Sequence, residues 1–135
     1  MIQIIFGKKG SGKTKRIFDM ANEAAAKTEG LVFFVNDGKS DTINLKPQIR
    51  FVNAGEYAVA GVDPTFGFLA GLLAGNYDIS YLFVDGFLKL TGTEGDIAGA
   101  IAKLDKIAAA AQTTIVLTYS ADVADVPESI RKFAI

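Results

Sequence analysis

The stretch that decides the fold is Gly7-Lys8-Lys9-Gly10-Ser11-Gly12-Lys13-Thr14, between the apolar run Ile2–Phe6 and a helix-patterned segment starting at Lys13. Glycines at 7, 10 and 12 permit backbone angles that turn successive N–H groups inward, so the loop predicts an anion nest opening onto a helix N-terminus. A Lys and a hydroxyl at the end of such a nest suit a polyphosphate and its metal: the ammonium of Lys13 for the β- and γ-phosphates, the Thr14 hydroxyl for a bridging magnesium ion. The cradle is read over Gly7, Lys8, Lys9, Gly10, Ser11, Gly12, Lys13, Thr14 and Lys15. A Gly-rich surface turn with solvated lysines is the plain alternative.

Working outward, Ile2–Phe6 reads as a buried strand stopping at Gly7, and Ile17, Met20, Ala21, Ala24 and Ala25 give Lys13–Lys27 one apolar helical face. Leu31–Val35 is a continuous apolar run, as for a parallel strand covered on both sides. Residues 38–64 lack periodicity and are expected to be loops, with Gln48–Val52 a possible short strand. Phe66–Ala74 predicts a short helix, Tyr81–Asp85 a strand closed by an acid, and Thr114–Tyr119 a further strand. Glu94–Gln112 predicts the clearest helix, with Thr93 and Asp96 resembling a capping box. The tail Glu128–Ile135 suits either a turn of helix or an edge strand at Lys132–Ile135. Alternating strands and helices predict a single α/β domain over residues 1–135 with a mostly parallel sheet between helical layers.

Composition narrows the chemistry. The 135 residues include no Cys and no His, which excludes zinc fingers, iron–sulfur clusters and Ser-His-Asp triads built from this chain. Lys and Arg number 14 against 15 Asp and Glu, a balance that gives no sign of nucleic-acid binding. No uncharged stretch reaches the ~18 apolar residues of a membrane span. The start Met1–Phe6 has no basic n-region, so a cytoplasmic location is expected and no membrane partner.

The loop, with Tyr81-Leu82-Phe83-Val84-Asp85, resembles the Walker A and Walker B motifs of the P-loop NTPase superfamily. That resemblance implies an α/β/α fold, ATP and magnesium as ligands, and Asp85 beside Thr14 at the metal, although Asp85 could also merely cap the turn to Gly86. Within the superfamily the RecA-like ATPase branch is favoured, which predicts Thr114–Tyr119 lying between the two Walker strands. Thr118 or Ser120 would then sit near the γ-phosphate.

Two features depart from the pattern. Many ATPases of that division carry Glu directly after the Walker B acid, where this chain has Gly86. RecA-like and rotary ATPases carry a catalytic acid at the end of the strand after the first helix, and Asp37 stands there, read either as the base that orients water or as a turn former. The three arginines, Arg16, Arg50 and Arg131, are the candidates for a γ-phosphate finger within the chain. Lys39, Lys46 and Arg50 could meet a second substrate or serve as surface charges.

With Lys13, Asp37 and Asp85 as catalytic residues, the expected activity is magnesium-dependent ATP hydrolysis. The rivals are a phosphotransferase with residues 37–64 over an acceptor, and a non-catalytic ATP/ADP switch acting on a protein partner. A protein partner or homo-oligomer is left open.

Overall fold

In a computed structural model, residues 1–38 and 44–135 are described. Five strands, β1 (Ile2–Gly7), β2 (Leu31–Asn36), β3 (Arg50–Asn53), β4 (Ile79–Val84) and β5 (Thr114–Ser120), form one sheet in the order β1-β5-β4-β2-β3, every ladder parallel. The strand β5 therefore separates the β1 and β4 ends, the order expected of the RecA-like branch. The sequence alone could not choose it, because β1, β2, β4 and β5 are all mainly apolar runs that would fit any interior place in a parallel sheet.

Strand alternation sorts the core into two layers. Ile5, Val32, Phe34, Phe83 and Val116 point to one face and bury Ile17, Phe18 and Ala21 of α1 (Lys13–Lys27). Ile4, Phe33, Val35, Leu82, Val84, Ile115 and Leu117 point to the other. There they pack against α2 (Val62–Gly75), α3 (Phe87–Thr91), α4 (Ile97–Ala110) and α5 (Glu128–Arg131). The expected α/β/α layering holds, with α1 alone on its side among the described residues.

Several boundaries moved, each for a local reason. The helix expected over Phe66–Ala74 starts at Val62, because Pro64 falls in the first turn, where a missing N–H costs nothing. The helix expected from Glu94 starts at Ile97 with Asp96 as its N-cap, the carboxylate accepting from Gly99 N at 2.9 Å, so Thr93 is not the cap. Helix α3 escaped the sequence reading, being one turn of chain between two glycines. The fourth apolar strand begins at Ile79 and ends at Val84, placing Asp85 just beyond it.

The edge of the sheet is closed by the tail. Phe133 O accepts from Ile4 N at 2.9 Å, and Ile135 N donates to Ile4 O at 3.0 Å, so the tail supplies both the helical turn α5 and a strand-like pairing on β1. That covers backbone groups an open edge would expose. Gln48–Val52 is also resolved: β3 begins at Arg50 and pairs with β2 at the opposite edge.

Candidate nucleotide site

All five strands point their carboxyl ends the same way, so the loops after β1, β2, β4 and β5 meet at one edge, the usual place for a ligand in an open parallel sheet. The loop after β1 delivers the chain directly into α1. Gly10 and Gly12 have φ of +83° and +90°, angles that a side chain would strain. Gly12 is the N-cap of α1 and, lacking a side chain, offers no capping bond; the first turn carries no acid. The first backbone donor of this end to find a partner is Arg16 N, bonded to Gly12 O at 3.1 Å. The N–H groups of Lys13, Thr14 and Lys15 precede the first intrahelical bond, as in any helix start. An uncapped helix end with open donors and a positive dipole fits an anion.

The side chains of the loop divide into two sets. Lys13 donates to Lys8 O at 3.0 Å, which holds its ammonium over the mouth of the loop. Burial lowers the Lys13 pKa from its ordinary value; the Asp85 charge opposes that shift and the Lys89 charge reinforces it. Lys15 turns along the helix to pair with Asp19 at 2.7 Å, so its side chain is committed away from the loop. Lys8, Lys9, Ser11 and Thr14 are exposed.

Opposite the loop stands Asp85, 7% exposed. Thr118, 2% exposed, donates its hydroxyl to Asp85 Oδ1 at 2.7 Å and accepts from Gly86 N at 2.6 Å. Asp85 N donates to Val35 O at 2.9 Å. Asp85 is thus tied to both neighbouring strands, its backbone to β2 and its carboxylate to β5, and no described residue donates to its Oδ2. Thr118 spends its donor on Asp85, which makes it a support for the acid; Ser120 is exposed and pairs in register with Gly7 at the start of the loop.

The register adds a residue that sequence reasoning missed. Pairing of Val35 with Val84 and of Val84 with Leu117 brings Asn36, Asp85 and Thr118 into one row across the sheet. Asn36 continues the phase of Val32 and Phe34, so it lies on the α1 face with Asp85. Its Oδ1 accepts from Gly38 N at 2.7 Å, which fixes the amide's orientation, and its Nδ2 is buried without a hydrogen-bond partner. A polar residue ending an apolar run in phase with Phe34 was the available signal. Asp37 follows Asn36 at the same edge, just past the strand, and is half-buried.

The arginines lie elsewhere. Arg16 reaches Ile135 O at 3.3 Å, Arg50 lies 5.9 Å from the Phe33 ring centroid, and Arg131 pairs with Glu128 at 2.9 Å. Of the three basic residues suggested for a second substrate, Lys39 lies outside the described residues. Lys46 is exposed and belongs to a segment fastened to α1, its backbone N–H bonded to Asn22 Oδ1 at 2.8 Å.

The donor set suits a magnesium nucleotide. One carboxylate, one hydroxyl and a helix end leave most coordination positions to phosphate and water, the arrangement magnesium favours. No group of three or more acidic, His or Cys side chains that could hold a metal occurs among the described residues. A cavity of about 210 Å³ adjoins the loop at Phe6, Gly7, Lys8, Asp122 and Val123. The larger cavity, about 540 Å³, lies at the opposite edge of the sheet, between the last turns of α1 and the amino ends of the strands, lined in part by Met20, Tyr81 and Thr114.

No family model and no curated protein matches the chain. Among solved structures, a KaiC-like protein from the hyperthermophilic archaeon Pyrococcus horikoshii OT3 is similar in fold. The TM-score is 0.66 at 18% identity, over 98% of this chain and 68% of the other. No helix among the described residues is long and apolar enough to cross a membrane.

Proposed function

We propose that this chain binds Mg·ATP on the Gly7–Thr14 loop and hydrolyses it. The observation that carries the reading is the pairing of an uncapped helix end with an anchored carboxylate: the open donors of α1 on one side, Asp85 held by Thr118 on the other, and the Lys13 ammonium within the field of that acid. The N–H groups of the loop and Lys13 bind and orient the phosphates. Thr14 and Asp85 hold the metal, directly or through water. A magnesium ion held there would supply charge neutralisation to the phosphates. Asp37, one residue past the end of β2 at the same edge of the sheet, orients the attacking water and takes its proton. The fold shared with a KaiC-like protein supports a nucleotide at this edge.

A second reading, a switch that binds ATP without turning it over, is favoured by Gly86. Its φ of +82° and the Lys89 stem, whose Cδ would lie 3.2 Å from a Cβ at position 86, leave no unstrained place for the Glu that many related ATPases have. Such a switch would act on a protein partner or on a second copy of the chain. A phosphotransferase is the third reading, marked by ATP consumption only with an added acceptor.

Turnover and Mg·ATP affinity of wild type, Lys13→Ala and Asp37→Asn, measured without acceptor over a range of protein concentrations, separate the readings. For an ATPase, Lys13→Ala loses binding and Asp37→Asn binds normally with turnover reduced about 10²-fold or more. Binding without turnover by the wild type selects the switch. Unchanged ATP binding by Lys13→Ala removes the loop from the argument.

A further inference from the structure

The stem of Lys89 lies against the Walker-B-like acid's neighbour. Gly86 adopts a left-handed conformation as the N-cap of α3, and Lys89 N closes that turn onto Gly86 O at 3.0 Å. The Lys89 side chain folds back over the cap, its Cδ, Cβ and Cγ being the atoms that a Cβ on Gly86 would meet. Gly86 N is in turn bonded to Thr118 Oγ1, which holds Asp85. The stem of Lys89 is therefore positioned by the same network that positions the acid.

Charge makes the location informative. Lys89 is exposed and forms no ion pair among the described residues. Its charge reaches Lys13, where it is one of the causes lowering that residue's pKa. With its stem over Gly86, the residue after Asp85, Lys89 thus adds a second ammonium to the neighbourhood of Lys13 and Asp85. Like charges held close cost free energy unless an anion lies between them, and a triphosphate brings one more anionic group than a diphosphate. The three arginines, which the sequence offered as fingers, are directed to Ile135, Phe33 and Glu128.

We propose that Lys89 is a specificity-determining residue of the nucleotide site, a cation supplied within the chain to contact the γ-phosphate and make the site prefer ATP to ADP. The proposal rests on the nucleotide-binding reading above. It assigns to Lys89 the charge that an arginine finger would bring, and it gives Gly86 a reason to be glycine: a side chain there would displace the lysine stem.

The test is direct binding by calorimetry, with magnesium, of ADP and of the non-hydrolysable β,γ-imido analogue of ATP to wild type, Lys89→Met, Lys89→Arg and Lys13→Met. Lys89→Met keeps the stem, and its melting temperature reports that the fold is intact. The expected result is about a tenfold loss of affinity for the triphosphate analogue in Lys89→Met, the scale of one charge-assisted hydrogen bond, with ADP affinity within about twofold of wild type. Lys89→Arg retains the preference, and Lys13→Met weakens both ligands. An unchanged ratio of the two affinities in Lys89→Met overturns the role of Lys89 while leaving nucleotide binding standing. Failure of the wild type to bind either ligand overturns the nucleotide reading, and this proposal with it.

Discussion

Replacing Thr118 by Val removes one oxygen and keeps the shape of the side chain, so it isolates what the hydroxyl does. In the native fold that oxygen donates to Asp85 Oδ1 at 2.7 Å and accepts from Gly86 N at 2.6 Å, in a position 2% exposed to solvent. A buried hydrogen bond to a charged acceptor contributes about 1.5–3 kcal/mol, and a backbone donor left without a partner costs about 1 kcal/mol or more. Thr118→Val is therefore expected to lose about 2–4 kcal/mol of folding stability, a large share of the ~5–15 kcal/mol that domains have. Thr118→Ser is the control: it keeps both bonds and deletes one buried methyl, a loss of about 1 kcal/mol. Urea denaturation of the three proteins, fitted with a common slope, measures the difference. Equal stability of the Val and Ser variants, or a more stable Val variant, would refute the claim that this hydroxyl anchors the acid.

Two further predictions concern the same edge. Gly86→Glu installs the carboxylate that many RecA-like ATPases carry at this position, yet at a φ of +82° it should lose about 1–2 kcal/mol of stability and gain no turnover, because the new side chain is strained and competes with Lys89; a rise in turnover above wild type would contradict this. The second concerns pH. Because burial lowers the Lys13 pKa, that ammonium loses its proton at a lower pH than an ordinary lysine, and phosphate binding favours the protonated form. Affinity for Mg·ADP should therefore fall as the pH rises through the region below about 10.4, with proton uptake on binding in that range. Calorimetry in buffers of different ionisation enthalpy reads the uptake directly, and a pH-independent affinity there would mean that Lys13 does not carry the phosphate.

How much was legible in advance varies with the range of the interactions concerned. The loop Gly7–Thr14 and helix α1 were readable with their boundaries because their causes are local: glycines that accept positive φ, and an apolar stripe at helical spacing. Asp85 was readable as an acid closing an apolar run. Helix α3 was not, since five residues carry too little periodicity to stand out, and its start depends on the left-handed Gly86.

The sequence by itself determined that this is an alternating α/β chain with a glycine-rich loop between its first strand and first helix. Those properties follow from residues within a few positions of one another. Only the tertiary structure decided that β5 lies between β1 and β4, that Thr118 holds Asp85, that Asn36 falls in the row beside it, and that Lys89 shares the neighbourhood of Lys13. Each of these joins residues separated by tens of positions along the chain. Their meeting is set by the packing of apolar strand faces against helices on both sides, which selects one strand order among several that the pattern allows.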